Sequence, residues 1–246
     1  MNWNPTWICP ANDLGDPAAV FGTSFVFEKK ITLAILTITA MGVYEARLNG
    51  RRVGQFVMAP GWTSYHKRLQ YQKYDITDLL TNDKNEVEVT VGKGWYRSPL
   101  PGWLGCAYQD ELRSRPCGLA AQITLTFEDG SSKILSTDES WKVSDGPVRF
   151  SEIYDGEIYD SAKTPLLDQP VTIFDGPTDT LILQQGEEVC EQERLAVKKV
   201  FVTPNGETVL DFGQNMTGYV ELFVNAKAGD CVDLSFAEVM DKEGNF

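Results

Sequence analysis

Apolar and polar positions alternate at a period of two along much of the chain. Val43-Tyr44-Glu45-Ala46-Arg47-Leu48 alternates and stops at Asn49-Gly50, the favoured two-residue hairpin turn, and Arg51-Arg52-Val53-Gly54 begins a return strand. Phe25-Val26-Phe27 leads into residues 31–39, an apolar run whose threonines suit a buried strand. Further strand-type runs occupy residues 86–91, 119–127, 133–135, 197–202, 219–224 and 231–236. Turn signals fall between them at Asp129-Gly130, Asp145-Gly146-Pro147, Asn205-Gly206 and Ala228-Gly229-Asp230. One helical turn is expected over 75–80, with Asp75 capping it. The pattern predicts an all-β chain: a jelly-roll β-sandwich over residues 1–190, then the first strands of a second β-sandwich over 191–246. Pro165, Pro170 and Pro177, closed by the acidic run 187–193, predict an extended connector over 164–194.

Composition narrows the chemistry. The 246 residues suffice for a sizeable core, and 42% hydrophobic content with 12 Phe, 9 Tyr and 6 Trp argues against disorder. Twenty-two Lys and Arg against 35 Asp and Glu leave a net charge of −13, which repels phosphate backbones and speaks against nucleic acid as a partner. His66 is the single histidine, so most metal-hydrolase and His-dependent nucleophile schemes drop out. Cys9, Cys106, Cys117, Cys190 and Cys231 are odd in number and form no CxxC pair, unlike a zinc site or a disulfide framework. The start, Met1 to Pro5, shows no basic-then-apolar leader, and residues 31–40 are too short to span a bilayer. Reduced thiols in a cytoplasmic protein without a membrane partner are therefore expected.

Several blocks carry a resemblance. Residues 42–54 continue into Ala59-Pro60-Gly61-Trp62-Thr63-Ser64-Tyr65, then residues 69–77, then Gly92-Lys93-Gly94-Trp95-Tyr96-Arg97. In that order and spacing they resemble the N-terminal β-sandwich of bacterial α-L-rhamnosidases, the inverting glycoside hydrolases of family 78. Residues 154–162 and 210–218 extend the likeness, the latter resembling the opening of the concanavalin-like sandwich of those enzymes. The resemblance covers residues 21–246. It implies that the second sandwich is concanavalin-like, and that the parent enzyme removes terminal non-reducing α-L-rhamnose with inversion. It also implies that the general acid and base lie on a following (α/α)6 barrel, since inversion needs two carboxylates roughly 6.5–9.5 Å apart. This sequence has no run of amphipathic helices, so no catalytic residue is carried over. The chain is expected to be the accessory part of such an enzyme, inactive alone, with the barrel and rhamnose-containing glycans as partners. A free-standing carbohydrate-binding module and a ligand-free structural domain are the alternatives.

Sugar recognition needs an aromatic face for the apolar side of a pyranose and planar polar groups for its hydroxyls. Trp62, Trp95, Tyr96, Arg97 and Trp103 have that chemistry, with Tyr65 and Tyr108 nearby; core packing competes as the explanation for Trp62 and Trp95. Trp103 lies in a Pro/Gly-rich loop that cannot join a central sheet. Asp155, Glu157 and Asp160 form the densest carboxylate set beside aromatics, with Asp155 and Glu157 expected on one face of a strand. They are read as interdomain or binding-rim residues, as are Gln214 and Asn215 on the glycine-bounded loop 211–218. No cofactor or metal site is expected. Calcium, which the resemblance admits, would need six to eight oxygens.

Overall fold

Alternating runs become strands where a partner completes their ladder. The computed structural model describes residues 3–98, 111 and 114–246. The chain opens with β1 (Trp7–Pro10), β2 (Ala19–Phe25), β3 (Ile31–Met41), β4 (Val43–Leu48) and β5 (Arg51–Arg52). Next come β6 (Leu69–Asp75), a 3-10 turn (Thr77–Leu79), β7 (Asn85–Gly92) and a short helix, α1 (Gly94–Arg97). Then follow β8 (Gly118–Phe127), β9 (Ser132–Ser136), β10 (Lys142–Asp145), β11 (Val148–Glu152), β12 (Gly156–Tyr159), β13 (Gln169–Phe174) and β14 (Leu181–Leu183). Two compact units divide the chain, residues 1–190 and 191–246, the second holding β15 (Lys199–Val202) and β16 (Thr208–Asp211).

In the first unit one large sheet curls on itself in the order β14-β6-β3-β8-β1-β13-β10-β2-β7-β4-β5, with β9 also on β8. β13 joins the two halves: Gln169 and Pro170 pair with β10, and Val171 to Phe174 pair with β1. The inward positions of β8 (Leu119, Ala121, Ile123, Leu125) meet Leu36 and Ile38 of β3, Phe21 of β2 and Val87, Val89 and Val91 of β7 in one core. Each such large side chain contributes about 1.5–3 kcal/mol by leaving water. The opposite face of β3, β6, β8 and β1 is also covered. Trp7, Met41, Leu69, Tyr71 and Ala120 form a second, aromatic cluster there with Tyr65, Tyr96 and Leu181. A Cβ on Gly118 would come within 2.6 Å of the Phe174 ring, so glycine keeps that layer close to the sheet.

The helical turn expected near 75–80 is the 3-10 turn, and the Asp75 carboxylate accepts the Thr77 backbone N–H at 2.9 Å. Two expectations need correction. The supposed connector 164–194 contributes β13 and β14, and Pro170, which has no N–H to donate, sits where β13 changes partner. Residues 219–224 and 231–236 alternate but form no strand; Phe223 is 87% and Phe236 73% exposed. Alternation marks a surface able to pack on one side, yet a strand also needs a neighbouring ladder. In the second unit that ladder exists between β15 and β16, where Lys199 to Val202 pair with Asp211 to Thr208.

Candidate functional site

Trp62 lies in the loop between β5 and β6, just after a cis Ala59–Pro60 peptide. Several bonds fix that loop. Tyr44 N–H donates to the Ala59 carbonyl at 2.7 Å, and Gly61 N–H to Met58 at 3.0 Å. The Pro60 carbonyl accepts from the Gln70 and Gln72 carboxamides at 3.2 and 3.4 Å. Gln72 is itself held in a buried network, accepting from the Tyr44 hydroxyl and donating to Gln184, each at 2.7 Å. Such a satisfied polar network makes the loop a rigid mount.

α1 supplies the other half. Gly94 opens it at φ 50°, where an added Cβ would lie 2.5 Å from Val43 Cγ1, so both conformation and space select glycine. Successive helical residues point about 100° apart, so Trp95, Tyr96 and Arg97 fan in three directions. The Trp95 ring lies parallel to that of Trp62, with centroids 5.9 Å apart and planes differing by 5°. Trp62 is 55% exposed and Trp95 half-buried. Tyr96 turns inward and is 2% exposed, meeting the Tyr65 ring edge-on at 5.3 Å. Burial pushes its phenol up to about 12, against the opposing pull of the nearby Arg115 guanidinium. Arg97 reaches Cys117 Sγ at 3.9 Å. The structure thus stacks Trp62 with Trp95, buries Tyr96 in the cluster against which Trp95 packs, and sends Arg97 to the start of β8.

Sequence reasoning missed the lysine beside this motif. Lys93 bonds Glu152 at 2.8 Å and Asp16 at 3.1 Å, tying β11 and the β1–β2 loop to α1. Burial works against its charge, but those two carboxylates outweigh it and raise its pKa. The signal in the sequence was only its place in Gly92-Lys93-Gly94-Trp95.

The carboxylate set is less compact than expected. Glu157 lies on β12, whereas Asp155 falls in the β11–β12 turn before Gly156 at φ 88°, so the two do not share a strand face. The turn consumes the residues that strand alternation would have aligned. Asp160 follows β12, accepting the Ala162 N–H at 3.0 Å. All three carboxylates are exposed beside the exposed Tyr154, Ile158 and Tyr159. Gln214 and Asn215 are exposed in the second unit, after a turn in which Asp211 accepts the Gly213 N–H at 2.7 Å. Trp103 and Tyr108 lie outside the described residues. No three His, Cys, Asp or Glu side chains gather to hold a metal among the described residues, and no helix there is long and apolar enough to cross a membrane.

Known proteins share the sequence and fold of this chain. Residues 29–193 match the family description "alpha-L-rhamnosidase N-terminal domain", and residues 201–246 match "bacterial alpha-L-rhamnosidase concanavalin-like domain". An alpha-L-rhamnosidase of Streptomyces avermitilis is 36% identical over 228 residues, covering 88% of this chain and 22% of its own. One from Alteromonas sp. is 29% identical over 268 residues, covering all of this chain and 28% of its own. The chain therefore spans about a quarter of the length of the curated relatives it matches. Among solved structures, native alpha-L-rhamnosidase of Aspergillus terreus superposes with a TM-score of 0.79 at 36% identity, over 86% of this chain and 26% of that one. The S. avermitilis enzyme complexed with L-rhamnose gives 0.73 at 33% identity, over 81% and 20%.

Proposed function

Since the chain belongs to the bacterial alpha-L-rhamnosidase family, matching its N-terminal domain over most of its length, we propose that it is the accessory region of a rhamnosidase and that its indole pair engages L-rhamnose. The observation that carries the sugar reading is the Trp62–Trp95 stack, in which Trp62 is exposed on a bonded loop and Trp95 packs on the cluster that holds Tyr65 and Tyr96. A flat apolar face of that kind suits the CH-bearing side of a 6-deoxy pyranose. A relative solved with L-rhamnose supports the same ligand class. On this reading hydrolysis belongs to another part of the parent enzyme, because the described residues are almost all strand and loop and supply no helical barrel.

Calorimetry of this chain with L-rhamnose, with and without added calcium, tests the binding. Heat of association at millimolar sugar is expected, and Trp62→Ala should weaken it at least tenfold while leaving the melting temperature nearly unchanged. No heat in either condition sinks the sugar reading and leaves a supporting role. Turnover of an aryl rhamnoside by this chain would overturn the accessory assignment.

A further inference from the structure

A cavity of about 320 Å³ opens between the β1–β2 loop, the end of β7, α1 and the start of β8. Lys93, Arg97 and Arg115 all line it, with Asn12, Ser114 and Ser151 among them. Two carboxylates line it as well, and both are engaged: Asp13 accepts the Gly15 N–H at 2.9 Å, and Asp16 takes Lys93 at 3.1 Å. Arg115 is ion-paired with Glu111, a partly exposed contact of the kind worth little, which a ligand carboxylate can displace. Three cations and two carboxylates thus line one concavity, and since Asp16 and Glu152 hold Lys93, the charge that faces an anion is that of Arg97 and Arg115. The described lining includes no aromatic residue, and its charged and hydrogen-bonding groups are what it offers a ligand.

Two guanidinium forks suit the two oxygens of a carboxylate, and the amide and hydroxyls between them suit ring hydroxyls. The volume falls at the small-ligand end of binding cavities. We propose that this cavity binds a uronate-type sugar, a pyranose ring bearing a carboxylate, with the acid group held by Arg97 and Arg115. The choice of a sugar body rests on the function proposed above, and the choice of an acid rests on the cavity alone. The site is separate from the indole pair, neither ring of which lines it.

Calorimetry of the whole chain at low salt with D-galacturonate, D-galactose, L-rhamnose and inorganic phosphate tests this. D-galacturonate should bind at least tenfold more tightly than D-galactose and should weaken as salt is added. Arg115→Gln, checked by thermal melting, should lose at least tenfold for D-galacturonate; should that variant fail to fold, the salt dependence and the acid-to-neutral ratio in the unmodified chain still decide. Trp62→Ala should weaken L-rhamnose binding at least tenfold and spare D-galacturonate. Equal response to D-galacturonate and D-galactose, including none to either, overturns the proposal. So does phosphate binding as tightly as the uronate, or an unchanged affinity in folded Arg115→Gln. Heat with D-galacturonate but none with L-rhamnose keeps this site and removes the indole-pair reading.

Discussion

Tyr96 shows how one residue serves a site it does not expose. Its ring is fixed against Tyr65 in the cluster on which Trp95 packs, and the cost of that position is an alkaline weakness. Folding keeps the phenol neutral up to about 12, from an ordinary value of 10.0. Below the ordinary value both states are protonated and stability is at its full value. Between there and the folded value the unfolded chain ionises first, so stability falls as pH rises, by roughly 2–3 kcal/mol across the window. Tyr44, pushed up chiefly by burial as well, adds in the same direction. Urea midpoints measured below and within that window should drop with pH, and Tyr96→Phe should flatten the drop. Lys93 is the second telling residue. Its partner Glu152 has a side chain only 7% exposed, and Glu152 Oε2 is buried without a hydrogen-bond partner among the described residues. Lys93→Met should therefore cost about 3 kcal/mol by leaving that carboxylate unpaired. Adding Glu152→Gln should recover part of the loss in the same denaturation measurement.

Among the elements, strict alternation decided what the sequence made legible. β4, β7 and β8 could be read from their periods, and β3 from its length, because their inward residues all meet one core. β1 and β14 could not, since four and three residues carry too little period and gain their identity from distant partners. Residues 219–224 erred the other way, with a period but no partner strand. The same division holds at the site. Gly94-Trp95-Tyr96-Arg97 was readable as chemistry, but which ring faces water depends on the direction each takes from α1. The cation-lined cavity was invisible, because Lys93, Arg97 and Arg115 reach it from two separate stretches of chain around a third, the β1–β2 loop. Element junctions are also where backbone demands concentrate. Gly42, between β3 and β4 at φ 149°, would place a Cβ 2.3 Å from the Gly92 carbonyl oxygen. Gly42→Ala should destabilise the chain by more than about 2 kcal/mol, read as a fall in melting temperature, because the obstacle is backbone that no rotamer change can move.

For the molecule as a whole, the two units make different demands. The first buries its apolar residues around two clusters, while the second leaves Phe223, Phe236 and Val239 largely exposed around a single two-stranded ladder. A chain of residues 1–190 should keep the melting temperature of the full chain and bind much less of a hydrophobic dye; a loss of cooperative melting would show that the first unit depends on the second. The pairing of β1 with β13 has a consequence in time. Trp7 stands opposite Phe174, and its indole N–H reaches the Pro177 carbonyl at 3.0 Å. At about 5–20 residues per second of synthesis, the first strand waits roughly ten to thirty seconds for its partner to leave the ribosome. Its other neighbour, β8, meets it at one pair, Ile8 with Leu119, and also emerges late. Within this chain β1 is thus secured late, and Trp7-Ile8-Cys9 stays uncovered until β13 has been made.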